Sequence, residues 1–273
     1  MTPALVVLTD FFAVSNRALS YAAGLALPLR AHLVLLHVRH DGLLSPEEYT
    51  HHFPRSERQT ERALHRLADD QPVPTQVEIS EAFLPDAVAE AVRHHHPELL
   101  VLGRPGTAVQ PAEVIVGTAL DLLRHVPCPL LTVPTVGWDT RPPRRLVLAV
   151  DDDEFTLYKN QEIVRELLDA LDGRLSIVHV TNKKDSAAAA GHRALHAVRH
   201  SGIALVPPTA TVHLVCHPDA AVGILQGAAE LRADLLIVIA RRHSLLGSLF
   251  HRSVTAQVVC ESPIPVLLLP ALD

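Results

Sequence analysis

Cysteines, aromatic side chains, an excess of basic charge and long apolar runs are all scarce in this chain, and each scarcity excludes something. The three cysteines, Cys128, Cys216 and Cys260, are an odd number with no close pair, which fits neither a disulfide framework nor a four-cysteine zinc site and implies a reducing compartment. Aromatic residues make up only 4%, so broad stacking platforms for bases or sugars are not expected, and a ligand would be held mainly by backbone and aliphatic contacts. Lys and Arg number 24 against 30 Asp and Glu, for a net charge of −6. With the basic residues scattered, there is no electrostatic footprint for nucleic acid. No apolar run approaches the roughly 18 to 20 residues of a membrane helix, and Met1-Thr2-Pro3-Ala4 puts no basic stretch before the first apolar run. A soluble, unprocessed, cytoplasmic protein is the expectation.

What is present is an ordinary folded composition, 48% hydrophobic and 20% charged over 273 residues, a length that at roughly 150 residues per domain suggests two units. The chain also repeats itself. Ala4 to Asp10 (ALVVLTD) resembles Leu146 to Asp152 (LVLAVDD), and His32 to Val38 (HLVLLHV) resembles Arg174 to Val180 (RLSIVHV). Pro85-Asp86-Ala87 matches Pro218-Asp219-Ala220, Glu98 to Leu102 matches Asp234 to Val238, and Pro127 to Val133 (PCPLLTV) matches Pro263 to Leu269 (PIPVLLL). Five blocks in one order make two copies of a unit of about 135 residues. The Pro- and Gly-bearing stretch Pro134 to Pro143 is the linker, giving domains at 1–134 and 144–273.

Within each unit, short Val, Ile and Leu runs without polar alternation read as strands buried on both faces. Helical patterns lie between them. Ala18, Ala22, Leu25 and Leu29 form one stripe with Ser15 as N-cap, and Ile163, Val164, Leu167, Leu168 and Leu171 form its counterpart with Gly173 as the stop. Pro85 and Pro218 suit first helical turns. Strand and helix alternate with five strands per unit, which predicts an α/β fold: two tandem, doubly wound, five-stranded parallel sheets with helices on both faces. Ligands of such sheets bind beyond the carboxyl ends of the strands where strand order reverses. The positions to watch are therefore Asp10 and Asp151 after the first strands, Val38 and Val180 closing the second, and the segments after Leu102 and Val238.

These residues resemble the universal stress proteins in a tandem two-domain form. The resemblance rests on Asp10, His37-Val38, Leu99 to Gly106 (LLVLGRPG), Gly117-Thr118 and Arg124 to Pro129 (RHVPCP), and in the second half on Val150-Asp151, His179-Val180, Asp234 to Ile239 and Ser262 to Val266. It implies Rossmann-like sheets of strand order 3-2-1-4-5. In the family's ATP-binding branch it also implies a signature G-x2-G-x9-G-S/T after the fourth strand. By that resemblance Asp10 would contact the ribose or adenine side, Val38 would offer its backbone to adenine, and Gly103, Gly106, Gly117 and Thr118 would surround the phosphates. The ligand would be ATP or another adenine nucleotide, with no metal beyond magnesium accompanying it.

Glycines serve such a site because phosphate must reach main-chain N–H groups at a helix start, where a Cβ would hold it away. Gly103 and Gly106 have the required spacing, but Gly117-Thr118 follows after ten residues rather than nine. Counting back from Pro129 without a gap puts Val116 and Gly117 at the last two signature positions, so a one-residue bulge would be needed. Pro105 and Pro111 remove two donors, and Glu113 adds a carboxylate. In the second half the glycine positions become Ile239, Arg242 and Arg252, with only Ser253 retained. Either Arg242, His243 and Arg252 grip an anion, or their bulk closes the site; the closed site is the favoured reading.

Other chemistries find less support. Asp151-Asp152-Asp153 resembles the acidic end of a receiver domain, but Val212 to His217 and Val266 to Ala271 supply neither the acceptor aspartate nor the lysine such chemistry needs. The bland reading is a strand-end aspartate with solvated acids capping the next helix. The 18 histidines include His94-His95-His96, yet neighbours on a helix point about 100° apart and do not converge on one ion. There is no Gly-x-Ser-x-Gly elbow and no Walker lysine. The expectation is a binding protein rather than an enzyme: a stress-response module holding an adenine nucleotide in its first half, or a nucleotide-free protein whose halves form a pseudo-dimer that docks a protein partner. By the same resemblance the last strands of the two halves would pair edge to edge across a two-fold axis, giving a compact monomer or a dimer of such monomers.

Overall fold

The computed structural model describes residues 2–9, 13–39, 57–104, 112–135, 142–158, 162–182, 187–203, 211–241 and 253–272. Ten strands and eight helices alternate through them. The first lobe contains β1 (Ala4–Leu8), α1 (Ala13–Leu29), β2 (His32–Val38), α2 (Glu57–Asp69), β3 (Thr75–Ser80), α3 (Leu84–His95), β4 (Leu99–Arg104), α4 (Ala112–His125) and β5 (Leu130–Pro134). The second contains β6 (Arg145–Ala149), α5 (Ile163–Leu171), β7 (Arg174–Thr181), α6 (Ala187–Ser201), β8 (Val212–Cys216), α7 (Ala220–Glu230), β9 (Leu235–Ala240), α8 (Val254–Glu261) and β10 (Val266–Pro270). No helix among the described residues is long and apolar enough to cross a membrane.

The strands lack polar alternation because both faces of the sheet are covered. Leu5 and Val7 of β1 pack into a cluster with α1 and α5, whereas Val6 and Leu8 face a second cluster with α3, α4, α7 and α8. Within each lobe every strand pairing is parallel, in the order 3-2-1-4-5 that the family resemblance implies. The second lobe repeats it as β8-β7-β6-β9-β10.

The two five-stranded sheets join into one of ten strands through β5 and β10, the one antiparallel pairing among the named strands. Leu131 lies opposite Leu267, flanked by Thr132 opposite Val266 and Leu130 opposite Leu268. Leu131 and Leu267 hold the fifth position of the two matching blocks PCPLLTV and PIPVLLL. The joint is therefore self-complementary, as a pseudo-two-fold axis requires. Helices follow the same symmetry, α1 meeting its counterpart α5 on one face and α4 meeting α8 on the other.

Local details differ from the sequence reading at the ends of helices. α1 begins at Ala13, so Ser15 lies within its first turn instead of capping it. α5 ends on Asp172, which takes the left-handed conformation (φ 49°), and Gly173 follows it, its N–H donating to the Leu168 carbonyl. Asp219 caps α7 by accepting from the Val222 N–H at 3.0 Å, which leaves Pro218 outside the helix, whereas Pro85 is inside the first turn of α3. His95 ends α3 with its ring 2.6 Å from Glu78 on the edge strand β3. His213 on the other edge strand, β8, makes the mirrored contact with Glu230 of α7, also at 2.6 Å. Cys128 is packed in the core, and burial pushes its thiol up to about 12.

Leu131 and Leu267 are 1% and 0% exposed. Leu131→Ala and Leu267→Ala should each lower unfolding free energy by about 2–5 kcal/mol, the range for a core leucine. Phe83→Ala, at a side chain 72% exposed, should stay within about 0.5 kcal/mol. Urea unfolding checks this, and a joint leucine as tolerant as Phe83 would contradict the joint's place in the core.

Candidate functional site

The strand order reverses between β1 and β4 in the first lobe and between β6 and β9 in the second, which fixes a crevice at the carboxyl ends of each pair. The two crevices share one piece of scaffolding. In the first lobe the Thr9 N–H donates to the Leu36 carbonyl at 3.0 Å, and Nδ1 of His37 lies 2.9 Å from the Thr9 carbonyl. In the second, the Val150 N–H donates to Val178 at 3.1 Å, and Nδ1 of His179 lies 3.0 Å from the Val150 carbonyl. Each histidine thus donates from Nδ1 to the residue just before the strand-end aspartate, Asp10 or Asp151. They are structural posts that aim the exit of the first strand, not bases.

Of the candidate binding residues, Val38 closes β2 and is 7% exposed, and Gly103 is the penultimate residue of β4, in register with Val133. Asp10 and Gly106 lie outside the described residues, as do Arg242, His243 and Arg252. Gly117 and Thr118 are the sixth and seventh residues of α4. Only the first four N–H groups of a helix lack an intrahelical acceptor. Those two N–H groups therefore belong to the helix ladder, while the stretch 105–111, where a one-residue bulge would fall, lies outside the described residues. A Cβ built at Gly117 would nonetheless meet nothing within 4 Å among the described residues, so this flank of α4 is open, and Thr118 beside it is buried.

The second crevice is different. Strand registers pair Gly103 with Val133 and Ile239 with Leu269, so the lobes match without a gap and Arg241 stands where the first lobe has Pro105. The Arg241 side chain is 11% exposed and crosses the switch point. Its Nη2 donates to Oδ1 of Asp151 at 2.7 Å and to the Asp153 carbonyl at 3.0 Å, and its Nη1 donates to the Glu154 carbonyl at 2.9 Å. The guanidinium carbon sits 5.9 Å from the centroid of the buried Phe155 ring, a cation–π distance. Further along, Leu157 bridges Ala271 and the Leu272 N–H donates to Thr156 at 2.9 Å.

The segment 151–158 is thereby strapped across the carboxyl end of the second sheet. The strand-end aspartate is engaged by an internal partner while its side chain stays 53% exposed. Ser253, the retained signature residue, is committed as well, its hydroxyl accepting from the Ala256 N–H at the start of α8. Arg242 and Arg252 lie outside the described residues, and the residue that occupies these strand ends is Arg241, which the sequence reading did not single out. The available signal was its place as the first residue after the apolar run of β9, directly across the switch from Asp151. The acids after β6 do not cap a helix either: Asp151 pairs with Arg241, and Asp152 accepts from Nε of Arg193 at 2.9 Å.

Beside the strap is a cavity of about 390 Å³ lined by Asp152, His179, Thr181, Asn182, Arg193 and His217. The Arg193 hydrogen bond holds the Asp152 carboxyl below the usual carboxylate range. Among the described residues no cluster of three or more His, Cys, Asp or Glu is arranged to hold a metal ion.

Arg241→Ala should free the strap, so that the Leu272 amide exchanges with solvent about tenfold faster while those of β6 do not; unchanged exchange at Leu272 would contradict the strap. A depressed folded-state pKa at Asp152 means that its pair with Arg193 contributes stability above the unfolded pKa, and loses it as pH falls through the lower folded value. Asp152→Asn should therefore flatten the acid limb of the stability–pH profile and leave the neutral-to-alkaline slope alone, as thermal melts across pH would show.

The profile of the universal stress protein family matches this chain twice, over residues 1–134 and 143–270. Comparison with curated proteins finds no match. Among solved structures, a universal stress protein from Archaeoglobus fulgidus is similar over 98% of both chains at 18% identity, with a TM-score of 0.66. A putative universal stress protein from Pseudomonas aeruginosa covers 99% of this chain and 94% of its own at 16% identity, with a TM-score of 0.59. Likenesses at such identities speak to the fold, and the doubled profile match speaks to descent: the chain is a tandem, two-domain member of the universal stress protein family.

Proposed function

We propose that this chain is a stress-response binding protein that takes one adenine nucleotide, such as ATP, in its first lobe and none in its second. The domains would fall at 1–134 and 144–273. The observation that carries the reading is the asymmetry at the switch point. Where Arg241 engages Asp151 at the second switch point, the first lobe has Pro105, a side chain with no charge to compete for Asp10. In this reading Asp10 meets the ribose or base side and Val38 lends its backbone to the base. Gly103 and Gly106 let main chain approach the phosphates, and Gly117 offers an open flank of α4, with Thr118 beside it, instead of a helix start. Magnesium would come with the nucleotide. The role in this reading is binding.

A second reading is favoured by α4 itself. Its helix runs unbroken from Ala112 through Gly117, which places Gly117 and Thr118 past the free N–H groups of the helix start, so the chain would serve as a nucleotide-free module that docks a protein partner. Calorimetric titration with ATP separates the two. The first reading expects heat from wild type and its loss in Gly106→Glu, which puts a carboxylate against phosphate; absence of heat from wild type would leave the second.

A further inference from the structure

Arg104 follows Gly103 at the carboxyl end of β4, yet its side chain belongs to the other lobe. It is 7% exposed, and its Nη1 and Nη2 donate to the carbonyls of Cys260 and Ser262. Both acceptors lie at the end of α8, where carbonyls lack intrahelical donors and the helix dipole is negative. A fork of donors suits two neighbouring carbonyls in a way an ammonium does not.

The seat is stiff. Ser262 is fully buried, its N–H donates to Val258 at 3.0 Å, and its hydroxyl donates to the Ile264 carbonyl at 2.8 Å, just ahead of β10. At the other end the Arg104 carbonyl accepts from the Thr135 hydroxyl at 3.0 Å, next to its register partner Pro134. Burial lowers the basicity of this guanidinium, as expected for a charge satisfied by carbonyls out of water. A displacement of either seat that broke these bonds would strand a buried charge, so the end of β4 and the end of α8 are constrained to move together. The second lobe has Ala240 at the matching position, so the tie runs one way only.

We propose that Arg104 is a positioning residue that couples the nucleotide crevice of the first lobe to the lobe joint and to α8, so that a ligand seated at Gly103 is felt in the second lobe. The tie stands on the geometry alone; its use by a nucleotide rests on the function proposed above. Because α8 starts at Ser253, beside the strapped crevice, it is the element through which the second lobe would read the first.

Hydrogen exchange on the full chain tests both parts, using Arg104→Met, which removes the charge with the fork, and Arg104→Lys, which keeps the charge. Without ligand, Arg104→Met should speed exchange about tenfold both at Gly103 to Arg104 and at Ser262 to Val266, and leave β3 and β8 unchanged, with Arg104→Lys in between. A change confined to one lobe, or spread evenly over the sheet as a general loss of stability, would overturn the tie. With ATP and magnesium, wild type should gain protection at Ser262 to Val266. Arg104→Met should still give calorimetric heat but no such gain, and transmission that survives in Arg104→Met would overturn the coupling. If wild type gives no heat while the ligand-free pattern holds, the tie stands and the nucleotide reading falls. Should Arg104→Met not fold, Arg104→Lys against wild type carries the same comparison.

Discussion

A parallel five-stranded sheet of this type ends in a strand whose outer N–H and C=O groups have no partner, and an unpaired edge is an invitation to aggregate. In this chain each lobe closes that edge with the other. β5 and β10 pair antiparallel about equivalent leucines, and the helices flanking them pack counterpart on counterpart. Much else is a consequence of this closure. The two crevices face away from a common seam, the helix behind each glycine-loop position is shared between lobes, and Arg104 has carbonyls of another lobe within reach. Covalent linkage of the halves keeps the joint permanently at high effective concentration, so neither lobe has to preserve a surface suited to a free partner.

Relieved of identity, the lobes have diverged by charge. The same edge-strand contact is Glu78 with His95 in one lobe and His213 with Glu230 in the other, a swap that keeps the pairing and reverses its direction. At the switch point the divergence changes the charge and the contacts at the strand ends. A proline in one lobe is an arginine in the other, and that arginine brings the acidic segment after β6 down onto its own sheet. A cation surrounded by one carboxylate, two carbonyls and an aromatic face has little reason to leave. The second crevice is best understood as liganded by its own chain.

How much of this was legible in the sequence follows from the range of the interactions concerned. Strands such as Leu33 to Leu36 announce themselves because burial on both faces leaves no polar position, and the repeat of five blocks fixes their order once one lobe is understood. The joint was legible because PCPLLTV and PIPVLLL are edge strands of the same kind. Helix boundaries were less so: Ser15 is inside α1, and Asp172 takes the left-handed turn that a neighbouring glycine seemed placed to supply, since a short polar side chain tolerates that conformation. The resemblance puts Gly117 and Thr118 against phosphate, whereas the fold sets them in the second turn of α4. Arg104 and Arg241 were illegible as agents. Each acts on groups far away in sequence, and an arginine after an apolar run gives no local sign of which carbonyls or carboxylates the fold will bring to it.

The account turns on one open crevice and one closed by its own chain. Native mass spectrometry of the intact protein with ATP and magnesium measures this most directly, because it counts ligands per chain. The account predicts a single nucleotide adduct that saturates at one. A second adduct of comparable affinity would show that Arg241 does not close its lobe, and a chain that stays bare at millimolar ATP would remove the nucleotide from the first.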